Sequence, residues 1–240
     1  MTIEICCNSI QSAINAQQGG ADRIELCQNL SEGGTTPSYS TIRFCTQILK
    51  MNTFVLIRPR AGNFFYSDLE YDIVKEEVLL CKELKANGVV VGFLQDDFSI
   101  DTKKTSEIVQ LAYPMEVTFH RAFDICNDWK ISVNEIIDCG CQRILTSGLA
   151  KNVTEGAPLL KEIRQFAENR IQIMAGCGVN SQNLAEIAKI TGIREFHSSA
   201  KKIRKIETSD KLFPDISFQE YSETDLVEVQ KLKNIALSIN

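Results

Sequence analysis

The stretch Gln17-Gln18-Gly19-Gly20-Ala21-Asp22-Arg23-Ile24-Glu25-Leu26-Cys27-Gln28 decides the fold. A helical segment runs into paired glycines, which serve the left-handed turn that ends a helix, and a β-rich run follows within three residues. The same change of period recurs along the chain. Strands are predicted over Ile3–Cys7, Arg23–Gln28, Thr53–Arg60, Val89–Leu94, Glu116–His120, Arg143–Ser147, Ile171–Ala175 and Arg194–Ser198. Amphipathic stretches separate them, such as Ser67–Asn87, and Gly88, Gly140 and Gly192 mark further helix exits. Asn180 or Ser181 is the expected cap of the seventh helix. Eight βα units without a Pro/Ser-rich linker predict the α/β class: a single (β/α)8 TIM-type barrel domain over 1–240, with its core at about 3–200. The remainder, 201–240, reads as a loop and then a helix near Thr224–Ser238. An open doubly wound sheet is the alternative, but no Gly-x-Gly-x-x-Gly follows the first strand.

Of the 240 residues, 44% are hydrophobic and 24% charged, which supports a sizeable core. No apolar run approaches the roughly 20 residues a membrane helix needs, so no membrane partner is expected. The net charge is −5, and the basic residues cluster only at Lys201-Lys202-Ile203-Arg204-Lys205, which reads as a solvated surface stretch. A nucleic-acid partner is disfavoured. Nine cysteines are an odd number, irregularly spaced and mostly inside apolar runs, and Ile3 already reads as strand with no leader before it. These features predict a reduced, cytoplasmic setting.

Barrel chemistry gathers at the C-terminal strand ends, and strand parity says which side chains point inward. A carboxylate facing the apolar helix layer is costly, so Glu4 and Glu25 should face the interior, carrying Cys6 and Cys27 with them. By the same reasoning Arg58 and Arg60 share the inner face of the third strand, Thr118 and His120 that of the fifth, and Glu195 and His197 that of the eighth. Barrel closure then puts His197, Cys6 and Cys27 on three consecutive strands about 4.8 Å apart. Two thiolates and an imidazole suit Cu(I), and a Cys2His set also suits Zn2+. Cys6 and Cys27 equally read as small buried hydrophobes.

A second reading is an enzyme acting on a small anionic or phosphorylated ligand. His120 and Glu25 are its acid/base candidates, and Arg58, Arg60 and Arg121 hold the anion. Asp124 stands beside them as a plausible cation contact. Gly178 and Ser199 lie in the loops after strands seven and eight, where barrels often hold phosphate on backbone N–H groups. Those glycines read equally as tight turns, and His120 as part of a structural hydrogen-bond network. Cys45, Cys81, Cys139 and Cys141 read as packing residues. Cys7 is expected to face the helices and Cys126 to lie in a loop.

Several strand-end motifs together carry a resemblance: Glu4-Ile5-Cys6, Gly20 to Cys27, Glu32-Gly33-Gly34-Thr35-Thr36-Pro37-Ser38, Ile57-Arg58-Pro59-Arg60, Tyr66-Ser67-Asp68, Val117 to Asp124, Arg143 to Gly148 and Glu195-Phe196-His197-Ser198-Ser199-Ala200. They resemble the CutC family of copper homeostasis proteins from Ile3 to about Ala200. The resemblance implies a TIM-type barrel, a cytoplasmic location, a homo-oligomer (dimer or tetramer) and a role in copper handling, with Cys6 and Cys27 as the Cu(I) ligands. The chain departs from the family after Ala200. Lys201–Phe218 is short and different, whereas Glu220-Tyr221-Ser222 keeps the family pattern.

Overall fold

The computed structural model describes residues 1–205 and 220–239. Eight parallel strands close into a barrel in sequence order, β1 pairing with β8. The order is β1 (Thr2–Cys7), α1 (Ile10–Gln18), β2 (Arg23–Leu26), α2 (Tyr39–Arg43), β3 (Thr53–Leu56), α3 (Asp68–Glu83), β4 (Gly88–Val91), α4 (Thr102–Ala112), β5 (Glu116–Phe119), α5 (Trp129–Asp138), β6 (Arg143–Thr146), α6 (Val153–Ala167), β7 (Gln172–Ala175), α7 (Leu184–Thr191) and β8 (Glu195–Ser198). Short helices cover the outside. α3 starts on a reciprocal capping box, Ser67 accepting from the Glu70 N–H while the Glu70 carboxylate accepts from the Ser67 N–H. α7 starts at Leu184 with Asn183 as its cap residue, later than Asn180 or Ser181, because Asn183 Oδ1 accepts the Asn180 N–H and closes an extra turn ahead of it.

The expected strands are all present, but several end early. β3 stops at Leu56 because Arg58 turns its N–H to Thr36 Oγ1 instead of a neighbouring strand. The tail differs more from expectation. Lys201–Lys205 (β9) is not loop: it pairs antiparallel with Glu220–Thr224 (β10), matching Ile203 to Ser222. Two basic residues flank a single exposed isoleucine on each side, a pattern with no helical stripe, and the segment finds a strand partner beyond the divergent stretch. α8 (Leu226–Ser238) follows, capped by Asp225, with Val229, Leu232 and Ala236 buried against the barrel's outer layer. Most of the divergent 201–218 stretch falls in 206–219, outside the described residues.

The core has two compartments, as strand alternation requires. Ile3, Ile5, Cys7, Ile24, Leu26 and Val55 point outward and pack beneath the helices. Cys6, Cys27, Phe54, Leu56 and Val90 form a separate cluster inside the barrel. Below that cluster the interior is charged. Arg23 on β2 pairs with Glu4 at 2.5 Å and reaches Glu195 at 2.7 Å, and Arg143 on β6 pairs with the same Glu195 at 2.5 Å. β2, β6 and β8 are not all neighbours, so these bonds cross the barrel and prove the inward direction. The Phe54 ring lies 5.0 Å from the Arg23 guanidinium and 5.3 Å from that of Arg143. This floor of mutually satisfied charges fills the barrel beneath its mouth.

Candidate metal centre

β1, β2 and β8 supply the centre. Register sets Glu4 opposite His197 and Cys6 opposite Glu25, so alternate residues of the three strands converge above the charged floor. The Cys6 and Cys27 sulfurs lie 3.5 Å apart. Cys6, Glu25 and His197 each offer a ligand atom within 4.8 Å of the others. The sequence pointed to Cys6, Cys27 and His197. The structure places Cys27 against Cys6 but outside that tighter set, where Glu25 stands instead. The stagger between strands decides this, and parity alone does not encode it.

His197 is oriented from behind. Its Nδ1 lies 2.7 Å from Glu4 Oε1, leaving Nε2 to face Glu25 Oε2 at 3.8 Å. A carboxylate behind the imidazole fixes its ring and raises its basicity, as in many metal sites. Burial alone would raise the Glu4 pKa, but the His197 hydrogen bond and Arg23 charge outweigh it and hold the carboxyl at about 2. Burial disfavours the His197 imidazolium, yet Glu25 and Glu4 raise its pKa. Burial raises the Glu25 carboxyl. The Cys27 hydrogen bond, followed by burial, pushes the Cys6 thiol well up, so Cys6 rests protonated. A bound soft cation is what makes a thiolate of such a cysteine.

The centre opens into a cavity of about 430 Å³ lined also by Arg58, Phe64, His120, Arg121, Gly178 and Ser199. Of the other sequence candidates, His120 is buried, and its Nδ1 accepts the Ala122 N–H at 3.1 Å. Burial, with Arg58 and Arg121 nearby, depresses its pKa to about 3, so it is neutral and a poor proton acceptor at neutral pH. Arg121 pairs with Asp124 at 2.6 Å. Asp124 also accepts from Thr146 Oγ1 and from the Ser147 N–H and hydroxyl, which makes it an anchor for the loop after β6. Arg60 lies away from this cavity in an outer groove, bonded to Glu70 at 2.5 Å, because β3 has ended four residues earlier and parity no longer applies. Sequence reasoning missed Arg23 and Arg143, although Arg23 shares the parity of Glu25. It also missed the Cys177 side chain, which lines the cavity from a backbone at φ +73°, a region a non-glycine residue rarely adopts. All nine cysteines are unbridged.

The CutC family model matches residues 1–202, which takes in all eight barrel strands and every residue of this centre. The chain belongs to the CutC family. It is 46% identical over 200 residues to a CutC family protein of Bacteroides fragilis, covering 83% of this chain and 80% of that one. It is 40% identical over 244 residues to the human copper homeostasis protein cutC homolog, covering 99% and 89%. Its barrel is also similar to the crystal structure of a CutC protein from Streptococcus agalactiae, with a TM-score of 0.79 and 34% identity over 83% of this chain and 98% of that one. For this CutC chain the barrel fold agrees with that of the Streptococcus agalactiae protein, and the family-model match ends where β9 begins.

Proposed function

We propose that this CutC-family chain takes part in copper homeostasis by binding Cu(I) at the barrel mouth. Cys6 and Cys27 are its thiolate ligands, and His197 is a third donor presented by Glu4. One observation carries the reading: two free thiols 3.5 Å apart beside an imidazole whose far nitrogen is already held by a carboxylate. Soft thiolates select Cu(I) over Mg2+ or Ca2+, and two of them hold it without any catalytic step. The name of the human relative supports copper as the cargo. A cytoplasmic location and a dimeric or tetrameric state belong to the same proposal. The unbridged thiols suit the first, and light scattering on the eluted protein measures the second.

The test is an anaerobic Cu(I) competition titration against a chromophoric chelator, comparing wild type with Cys6→Ser/Cys27→Ser. The expected result is about one tightly held ion per chain, lost in the double variant. Weak binding, or equal binding by both proteins, would leave the cysteines as packing residues and end the copper reading.

A further inference from the structure

The β3–β5 side of the mouth cavity carries two donors that the metal centre does not use. Arg58 is only 5% exposed. Its guanidinium donates to the main-chain carbonyls of Glu32, Gly34 and Gly62 at 2.9, 2.7 and 2.8 Å. Among the described residues no carboxylate pairs with it, and its Nε has no hydrogen-bond partner. Burial raises the pKa of the Tyr66 phenol and the nearby Arg58 charge opposes that rise, yet among the described residues its hydroxyl is also without a hydrogen bond of good geometry. A buried cation whose charge meets no anion is costly, unlike Arg23 and Arg143, which are each held by two carboxylates.

His120 adds the second donor. Because Nδ1 accepts the Ala122 N–H, the proton of the neutral ring sits on Nε2, and that atom has no partner among the described residues. Unsatisfied buried donors are uncommon and call for a functional account. The half-buried Phe64 ring lies 4.8 Å from the His120 ring and 5.2 Å from the Arg58 guanidinium carbon, covering both. Arg121 and Lys201 line the same cavity, against Glu25 as its one lining carboxylate among the described residues. At about 430 Å³ the cavity is in the range of small-molecule sites.

We infer that this wall is a second site of the protein and binds the carboxylate or phosphate group of a small molecule. Arg58 supplies the charge, His120 Nε2 supplies a neutral donor, and Phe64 is the cover the ligand displaces. None of these residues is a proposed copper ligand, so the metal-free protein tests the inference separately from the copper reading.

Inorganic phosphate and malonate are titrated calorimetrically into the metal-free full chain at constant ionic strength. In parallel, a long-range proton–nitrogen spectrum follows the imidazole nitrogens of its two histidines. One of the two anions should saturate at one per chain and move the His120 Nε2 resonance with the same midpoint, the responding anion naming the group. His120→Phe should weaken that binding about tenfold or more, whereas Phe64→Ala, which uncovers both donors, should bind at least as well as wild type. Absence of saturation by either anion at tens of millimolar overturns the inference. So does wild-type affinity in His120→Phe, or lost binding in a folded Phe64→Ala.

Discussion

Replacing His120 with glutamine should flatten the acid side of this protein's stability curve. In the folded chain burial, then the Arg58 and Arg121 charges, hold the His120 pKa down at about 3, against 6.5 for an unperturbed imidazole. Between those values the unfolded chain carries one proton more than the folded chain at this position. Stability from keeping His120 neutral is therefore complete above about pH 6.5 and drains away as pH falls toward about 3. Linkage makes the loss about 2 kcal/mol between about pH 7 and about pH 5. Glu25, raised by burial, and Glu4, held low by His197 and Arg23, add their own pH dependence, but they do so in both proteins and cancel in the difference. Urea unfolding of wild type and His120→Gln at several pH values gives that difference directly. Glutamine keeps an acceptor for the Ala122 N–H and has no titrating group, so only the slope should change. Parallel stability profiles, with a gap constant to within about 0.5 kcal/mol from pH 7 to 5, would refute the claim that the folded protein holds His120 neutral.

Arg23→Met should cost about 3–5 kcal/mol in chemical denaturation, because it takes one of two partners from each of two carboxylates, leaving, among the described residues, the buried Glu4 only His197 and Glu195 only Arg143; a loss below about 1 kcal/mol would mean the floor is not a coupled network. Gly156→Ala should lower the thermal midpoint by the equivalent of about 3 kcal/mol, since a Cβ there would sit 1.7 Å from the Ser147 carbonyl oxygen and force α6 away from the loop after β6. An unchanged midpoint in calorimetry would show that this contact is slack.

The fold was legible because each βα unit announces itself locally, through a glycine exit, a β-branched run and a change of period. The inward direction of Glu4 and Glu25 could be read from cost alone, since neither carboxylate had an affordable place among Ile5, Ile24 and Leu26. Distances between strand ends were not legible. They depend on stagger around the barrel, and so Glu25, rather than Cys27, completes the set of ligand atoms that lie within 4.8 Å of one another with Cys6 and His197. Arg60 shows where parity fails: it extrapolated a strand that hydrogen bonding to Thr36 had already ended. The β9–β10 hairpin escaped because its two strands are separated by the stretch 206–219, and no local signal in Lys201–Lys205 names a partner so distant in sequence.

The bond between His197 and Glu4 joins residues 193 apart in sequence, across the seam where the last strand meets the first. During synthesis both thiols leave the ribosome within the first two βα units, long before the imidazole exists. A nascent chain of that length exposes a cysteine pair with no third donor and no floor beneath it, since Glu195 and Arg143 also arrive late. On the proposed copper reading, capture by all three donors would therefore wait for completion of the ring, and an ion so held would mark a molecule that has finished folding.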